Sequence, residues 1–301
     1  MSRRIFFLFL LGNLTFCSPA LPQFDGQRAF EYLVRQVDFG PRNPGSKGHK
    51  ECLNYLKTEL EKTADSVILQ PFIHYDRLNN KNVPLTNIIA SYNSKAGKRI
   101  FFAAHWDTRP FADMDRKGDK DRPIPGANDG ASGVAVLLEI ANHLKSNPPQ
   151  IGVDLILFDG EDYGPEGHLE EYFLGSRYFV QNKGNYRPRY GILLDMIGDA
   201  NLNIPIEGFS QQSAPHIVDK VWSAAESIGA YQFERTIGQY INDDHVILIE
   251  GGIPCIDVID FAYPDENHGY WHTREDTPDK CSSESLKTVG QVMLEVIYNE
   301  K

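Results

Sequence analysis

Four short, predominantly apolar runs constrain this chain most, at residues 100–104, 153–158, 190–194 and 253–259. A strand with one wet face alternates apolar and polar residues. A run that stays apolar for five or six residues is buried on both faces, as in a parallel or mixed sheet. Residues 67–75 and 85–92 read as two further strands. Helical spacing intervenes: Cys52, Leu53, Leu56 and Leu60 within 47–63, then Val134, Leu137, Leu138, Ala141 and Leu144, then Val218, Trp222 and Ala225, with a last helix over 283–298. Strand and helix in alternation predict an α/β fold, a mixed, mostly parallel central sheet flanked by helices on both faces.

The ends of these runs carry the chemistry. The first stops at His105-Trp106-Asp107, the second at Asp159-Gly160-Glu161-Asp162, the third at Asp195. Open α/β sheets bind ligands at the carboxyl ends of their strands. Three strands delivering acids and a histidine there predict a site on that edge.

The 301 residues are 41% apolar and 24% charged, which excludes a disordered or collagen-like chain. A formal net charge of −11 argues against nucleic acid as a partner. Ser2-Arg3-Arg4, an apolar stretch over 5–11 and a small-residue segment reaching Ala20 read as a secretory signal peptide over residues 1–23. Residues 24–301 are then one catalytic domain of an exported protein, periplasmic or secreted. No window is long and apolar enough to span a bilayer. Cys17 is a candidate lipid-attachment site, with bulky Phe16 before it counting against that. Cys52, Cys255 and Cys281 lack Cys-x-x-Cys spacing and read as buried thiols, with one disulfide pair as the alternative.

Gly126-Ala127-Asn128-Asp129-Gly130 precedes the helix that contains Val134. Asp129 there either caps the helix or binds a metal. Glu161 and Asp162, adjacent like charges after a buried strand, are either two solvated acids in a turn or a pair compensated by a cation or a shared proton. His272 follows Trp271, an aromatic in a polar loop. Two carboxylates and a neutral imidazole make a charge-balanced zinc site with a fourth position open, and Asp129, Asp162 and His272 are the candidates. His245 and His268 are weaker candidates; the other histidines read as structural or solvated.

The motifs His105-Trp106-Asp107, Gly126-Ala127-Asn128-Asp129, Phe158-Asp159-Gly160-Glu161-Asp162, Gly175-Ser176-Arg177, Leu194-Asp195-Met196-Ile197-Gly198, Asp243-Asp244-His245 and Trp271-His272-Thr273 occur in this order. Together they resemble the M28 metallopeptidase family, and within it the glutaminyl-peptide cyclotransferase branch in its bacterial form. The resemblance implies a zinc-exopeptidase-like fold and one zinc ion on Asp129, Asp162 and His272. It implies Glu161 as general acid and base, Asp195 and Asp243 as a hydrogen-bonded acid network, and Trp271 as a wall of the substrate pocket. The implied substrates are peptides or proteins with N-terminal glutamine, cyclised to pyroglutamate with release of ammonia. Animal members of this branch usually carry Glu where this chain has Asp162. Their disulfide near the first motif has no counterpart, because Ala104 precedes His105.

Two other readings stay open. His105, Asp129, Asp162, Asp195 and His272 suffice for a second metal, bridged by Asp129, and an aminopeptidase. A non-catalytic binding domain on the same fold would be expected to have lost ligands or base, and none is lost. Residues 111–125 hold four acids and four bases, either a loop over the pocket or a solvated one, and Glu166, His168, Glu170 and Glu171 look exposed.

Overall fold

The computed structural model describes residues 22–116 and 120–301. The expected leader, Cys17 included, falls outside these residues except for Pro22 and Gln23. In chain order the elements are α1 (Gly26–Val37), α2 (Lys47–Glu61), β1 (Ser66–Asp76), β2 (Lys81–Tyr92), β3 (Arg99–His105), α3 (Ala131–Ser146), β4 (Gly152–Phe158), α4 (Leu174–Asn182), β5 (Gly191–Asp195), β6 (Ile204–Ile206), α5 (Gly208–Ser213), α6 (Pro215–Ile228), β7 (Phe233–Ile237), α7 (Asp244–Glu250), β8 (Cys255–Ile259) and α8 (Ser283–Asn299).

Six strands form one sheet in the order β1-β2-β4-β3-β5-β8. β1 and β2 are antiparallel, as are β2 and β4; β3 runs parallel to β4 and to β5, and β5 parallel to β8. The sheet is mixed and mostly parallel, as expected. Register aligns His105 with Phe158 and Asp195 with Ile259, so four parallel strands end at one edge. Alternate residues of these strands feed two cores. Phe102, Ala104, Leu155, Leu157, Ile192 and Leu194 pack with α1, α2, α3, α6 and α8, while Phe101, Ala103, Ile156, Phe158 and Leu193 pack with α4 and α7. β6 and β7 form a separate parallel pair that the apolar pattern did not announce, because β7 buries little besides Phe233.

Local chemistry sets the helix starts. Asp25, Ser46 and Ser282 accept hydrogen bonds from first-turn amides of α1, α2 and α8. α3 is different: its N-cap is Gly130 at φ 96°, with no side-chain cap, so Asp129 does not cap it. Gly133, in its first turn, lies so close to β5 that a Cβ would meet the Leu194 carbonyl at 2.2 Å. That contact seats the start of α3 beside the carboxyl end of β5. Cys52, Cys255 and Cys281 are free and buried. Among the described residues no helix is long and apolar enough to cross a membrane.

Candidate active site and metal centre

A cavity of about 190 Å³ opens at the carboxyl ends of the parallel strands. Asp129, Glu161, Asp162, Asp195, Asp243, Trp271 and His272, the full set singled out from the sequence, line it. Apolar walls come from Phe173, Met196, Ile241, Ile259 and Phe261, which the sequence reading had not placed. Phe173, Met196 and His272 have positive φ (58°, 48° and 53°). Non-glycine residues rarely adopt that conformation, and it concentrates where a site over-determines the backbone.

Donor atoms of Asp129, Asp162 and His272 all lie within 4.8 Å of one another. His272 Nε2 is 3.4 Å from Asp162 Oδ1 and 3.7 Å from Asp129 Oδ2. Burial and the nearby Arg109 push the His272 pKa down to about 3, leaving a neutral imidazole with a free lone pair. Asp162 Oδ2 is buried and has no hydrogen-bond partner. Two carboxylates, a neutral imidazole and an unpartnered buried oxygen converging on one point fit a divalent metal.

A second group, His105, Asp129 and Asp195, meets the same 4.8 Å limit and shares Asp129. His105 Nε2 stands 3.1 Å from both Asp129 Oδ1 and Asp195 Oδ1. Burial alone would lower the His105 pKa, yet the carboxylates of Asp107, Asp129 and Asp195 around it raise it well above its usual value. The surrounding acids thus favour the protonated form of His105. Burial would raise Asp129, but the His105 contact brings it below the usual carboxylate range.

The remaining acids go the other way. Burial, reinforced by Asp162, Asp243 and Asp244, raises the Glu161 carboxyl well above its usual range. Burial and Asp195 push Asp243 up to about 7, and burial and Asp129 raise Asp195. Asp243 caps α7, accepting from the Asp244 amide, and lines the cavity. Trp271 stacks on the His272 ring at 3.7 Å between centroids.

Buried supports behind the cavity were not found in the sequence. Asp107 accepts from the amides of Glu161 and Asp162 at 3.1 and 3.4 Å and fixes that turn. Asp276 accepts from the amides of Asn128 and Asp129 at 2.8 and 3.1 Å. Arg42 donates to the carbonyls of Trp106, Pro125 and Gly126. His105-Trp106-Asp107 was a signal for Asp107; for Asp276 and Arg42 the sequence offered none. His245 turns away to Glu207, Nε2 to Oε2 at 3.0 Å. His268 bonds the Phe261 carbonyl and does not line the cavity. Glu171, expected to be exposed, is buried against His74 because the preceding turn folds it under β1.

A mixed sheet with helices on both faces and a candidate His/Asp metal site at its carboxyl edge is the architecture of the zinc-exopeptidase-like fold. The chain belongs to Peptidase family M28, whose pattern matches residues 87–297. It is similar to the glutaminyl cyclase of Bacteroides thetaiotaomicron bound to N-acetylhistamine, at 42% identity and TM-score 0.89, covering 94% of this chain and 100% of that one. It is equally similar to a leucine aminopeptidase precursor from the same organism, at 43% identity and TM-score 0.89, covering 94% and 99%. Aminopeptidase YwaD of Bacillus subtilis is 30% identical over 68% of this chain; the match spans 42% of that longer protein.

Proposed function

We propose that this M28 enzyme is a zinc-dependent glutaminyl-peptide cyclotransferase acting on peptides or proteins with N-terminal glutamine. The observation that carries this reading is Glu161, a carboxyl with its side chain only 14% exposed and its pKa pushed upward, lining the same small cavity as the Asp129, Asp162 and His272 trio. At about 190 Å³ the cavity is smaller than the roughly 300–1,000 Å³ of pockets for drug-sized ligands. One terminal residue, folded back on itself, suits that space. Similarity to the Bacteroides cyclase supports the same reading.

Zinc on the trio would supply Lewis-acid polarisation of the substrate's side-chain amide carbonyl. The chain's own residues do the rest. Trp271, Phe261 and Ile259 wall the glutamine side chain and exclude water that would hydrolyse it. Glu161 takes a proton from the α-amine as its nitrogen bonds to the amide carbon, and returns it to the nitrogen whose C–N bond breaks, releasing ammonia. To accept that proton Glu161 must begin ionised, and a cation at the adjacent trio favours that state. Asp195 and Asp243, which line the cavity with Glu161, would accept from the α-amine and position it. Holding the two reacting groups of one molecule together can supply about 7–11 kcal/mol in favourable cases.

The grouping of His105, Asp129 and Asp195 favours a second reading, a two-metal aminopeptidase. Mass spectrometry of an N-terminal glutamine peptide incubated with the zinc-loaded protein separates the two. We expect loss of ammonia alone, faster than in the enzyme-free control. Loss of the whole first residue would establish the aminopeptidase instead.

A further inference from the structure

The segment that follows β3 leads neither away from the site nor simply over it. Arg109 is 1% exposed, and its guanidinium is shared between two acids. Nε and Nη2 donate to Asp113 Oδ1 and Oδ2 at 2.8 and 2.6 Å; Nη1 donates to Asp162 Oδ1 at 2.7 Å and to the Gly164 carbonyl at 3.0 Å. Asp113 Oδ1 in turn lies 3.8 Å from His272 Nδ1. Buried Arg109 and its half-buried partner Asp113 therefore stand behind two members of the trio at once. Its neighbours bolt the same two loops together. Met114 N donates to the His272 carbonyl at 3.3 Å, and Asp115 accepts from Arg274 Nε at 2.6 Å and from the Arg274 amide at 3.1 Å. These bonds flank His272, whose φ of 53° needs outside support.

We propose that Arg109 and Asp113 are positioning residues that preset Asp162 and His272 for metal, so that metal affinity is set from the loop after β3. This rests on the trio being the zinc site. Arg109 engages Asp162 Oδ1 and leaves Oδ2 without a partner. Asp113 Oδ1 lies 3.8 Å from Nδ1 of His272, an electrostatic contact and not a hydrogen bond, while Nε2 faces Asp129 and Asp162; a carboxylate on that side favours the tautomer that leaves Nε2 free for metal. Arginine suits the task because its planar fork holds two carboxylates at once; an ammonium is a single point charge.

The test is the zinc dissociation constant, from competition with a chromogenic chelator, for wild type, D113N, R109K and R109M. The cobalt-substituted absorption spectrum reads ligand geometry, and a thermal melt of each metal-free protein confirms folding. D113N and R109M are expected to bind zinc about 10–100-fold more weakly with a changed cobalt spectrum. R109K should fall between them and wild type. Should R109M not fold, nearly isosteric D113N decides. Wild-type affinity and an unchanged spectrum in folded D113N would overturn the clamp while leaving the zinc site intact. A wild-type protein that takes up no zinc would overturn the metal reading itself.

Discussion

Strand β5 joins two kinds of buried acid. Before its first residue, Tyr190 Oη donates to Glu300 at 2.6 Å, and Lys220 Nζ donates to the same carboxylate at 2.6 Å. Farther along α3, Glu139 receives both Nε and Nη2 of Arg28 at 2.6 Å. Burial would raise both glutamates, yet these partners, together with His143 at 3.0 Å from Glu139, bring both below the usual range. At the other end of β5, Asp195 opens the cavity, where Glu161, Asp162 and Asp243 all shift upward and Asp162 Oδ2 and Asp243 Oδ2 lack partners. Glu139 and Asp162 are alike in burial, so burial does not separate the two sets. Completed pairing does: Glu139 and Glu300 are met by cations and hydrogen-bond donors, whereas Asp162 and Asp243 each keep one oxygen without a partner, a shortfall that a metal and transferable protons can make up.

The sharpest way to break this comparison is E161Q. Glutamine keeps the shape and removes the titrating group, so zinc content should stay at the wild-type level while kcat for cyclisation falls by about 10²–10⁴-fold. Turnover near wild type would place the proton transfer elsewhere.

Proton linkage gives the next effect. Asp243 sits at about 7 in the folded protein against about 3.9 when unfolded. The folded state then holds the extra proton, so the contribution to stability is full below about pH 4 and is lost as pH rises through about 7. Metal-free wild type should therefore lose more thermal stability between pH 4.5 and 7.5 than D243N, whose amide oxygen can still cap α7. The maximal slope for one proton is about 1.4 kcal/mol per pH unit. Identical pH profiles for the two proteins would show that Asp243 carries no shifted proton.

The sheet and the cavity acids were legible because each depends on signals local in sequence. Continuous apolar runs mark doubly buried strands, and acids directly after them must reach the carboxyl edge. The resemblance pointed to Asp195, Asp243 and Trp271, all of which line the cavity. The supports behind the cavity were not legible. Asp113 and Asp115 counted only as charges in a loop of zero net charge, whereas Asp113 faces His272 and Asp115 binds Arg274, 159 residues away in sequence. Arg109 reaches Asp162 over 53 residues. Such partners are chosen by tertiary approach, and composition or periodicity carries no trace of it. Glu171 shows the same limit, since a polar pattern cannot tell a solvated acid from one folded against His74.

The smallest effect tests the satisfied side. In E139Q the carboxylate that accepts two bonds from Arg28 becomes an amide, with one oxygen acceptor and an NH2 facing a guanidinium. Asn142 Nδ2, 3.1 Å from the same carboxylate, also loses an anionic acceptor. Hydrogen bonds to charged groups contribute about 1.5–3 kcal/mol, and Arg28, with a side chain 46% exposed, can recover water when its partner is lost. A loss of about 1–3 kcal/mol follows, read as a melting point a few degrees lower. Zinc affinity and kcat/KM should stay within about twofold of wild type, because Glu139 does not line the cavity and its bonds are to α1 and α3. A fall in activity matching that of E161Q would erase the distinction between the two sets of acids. Lost stability with intact turnover would locate it in pairing.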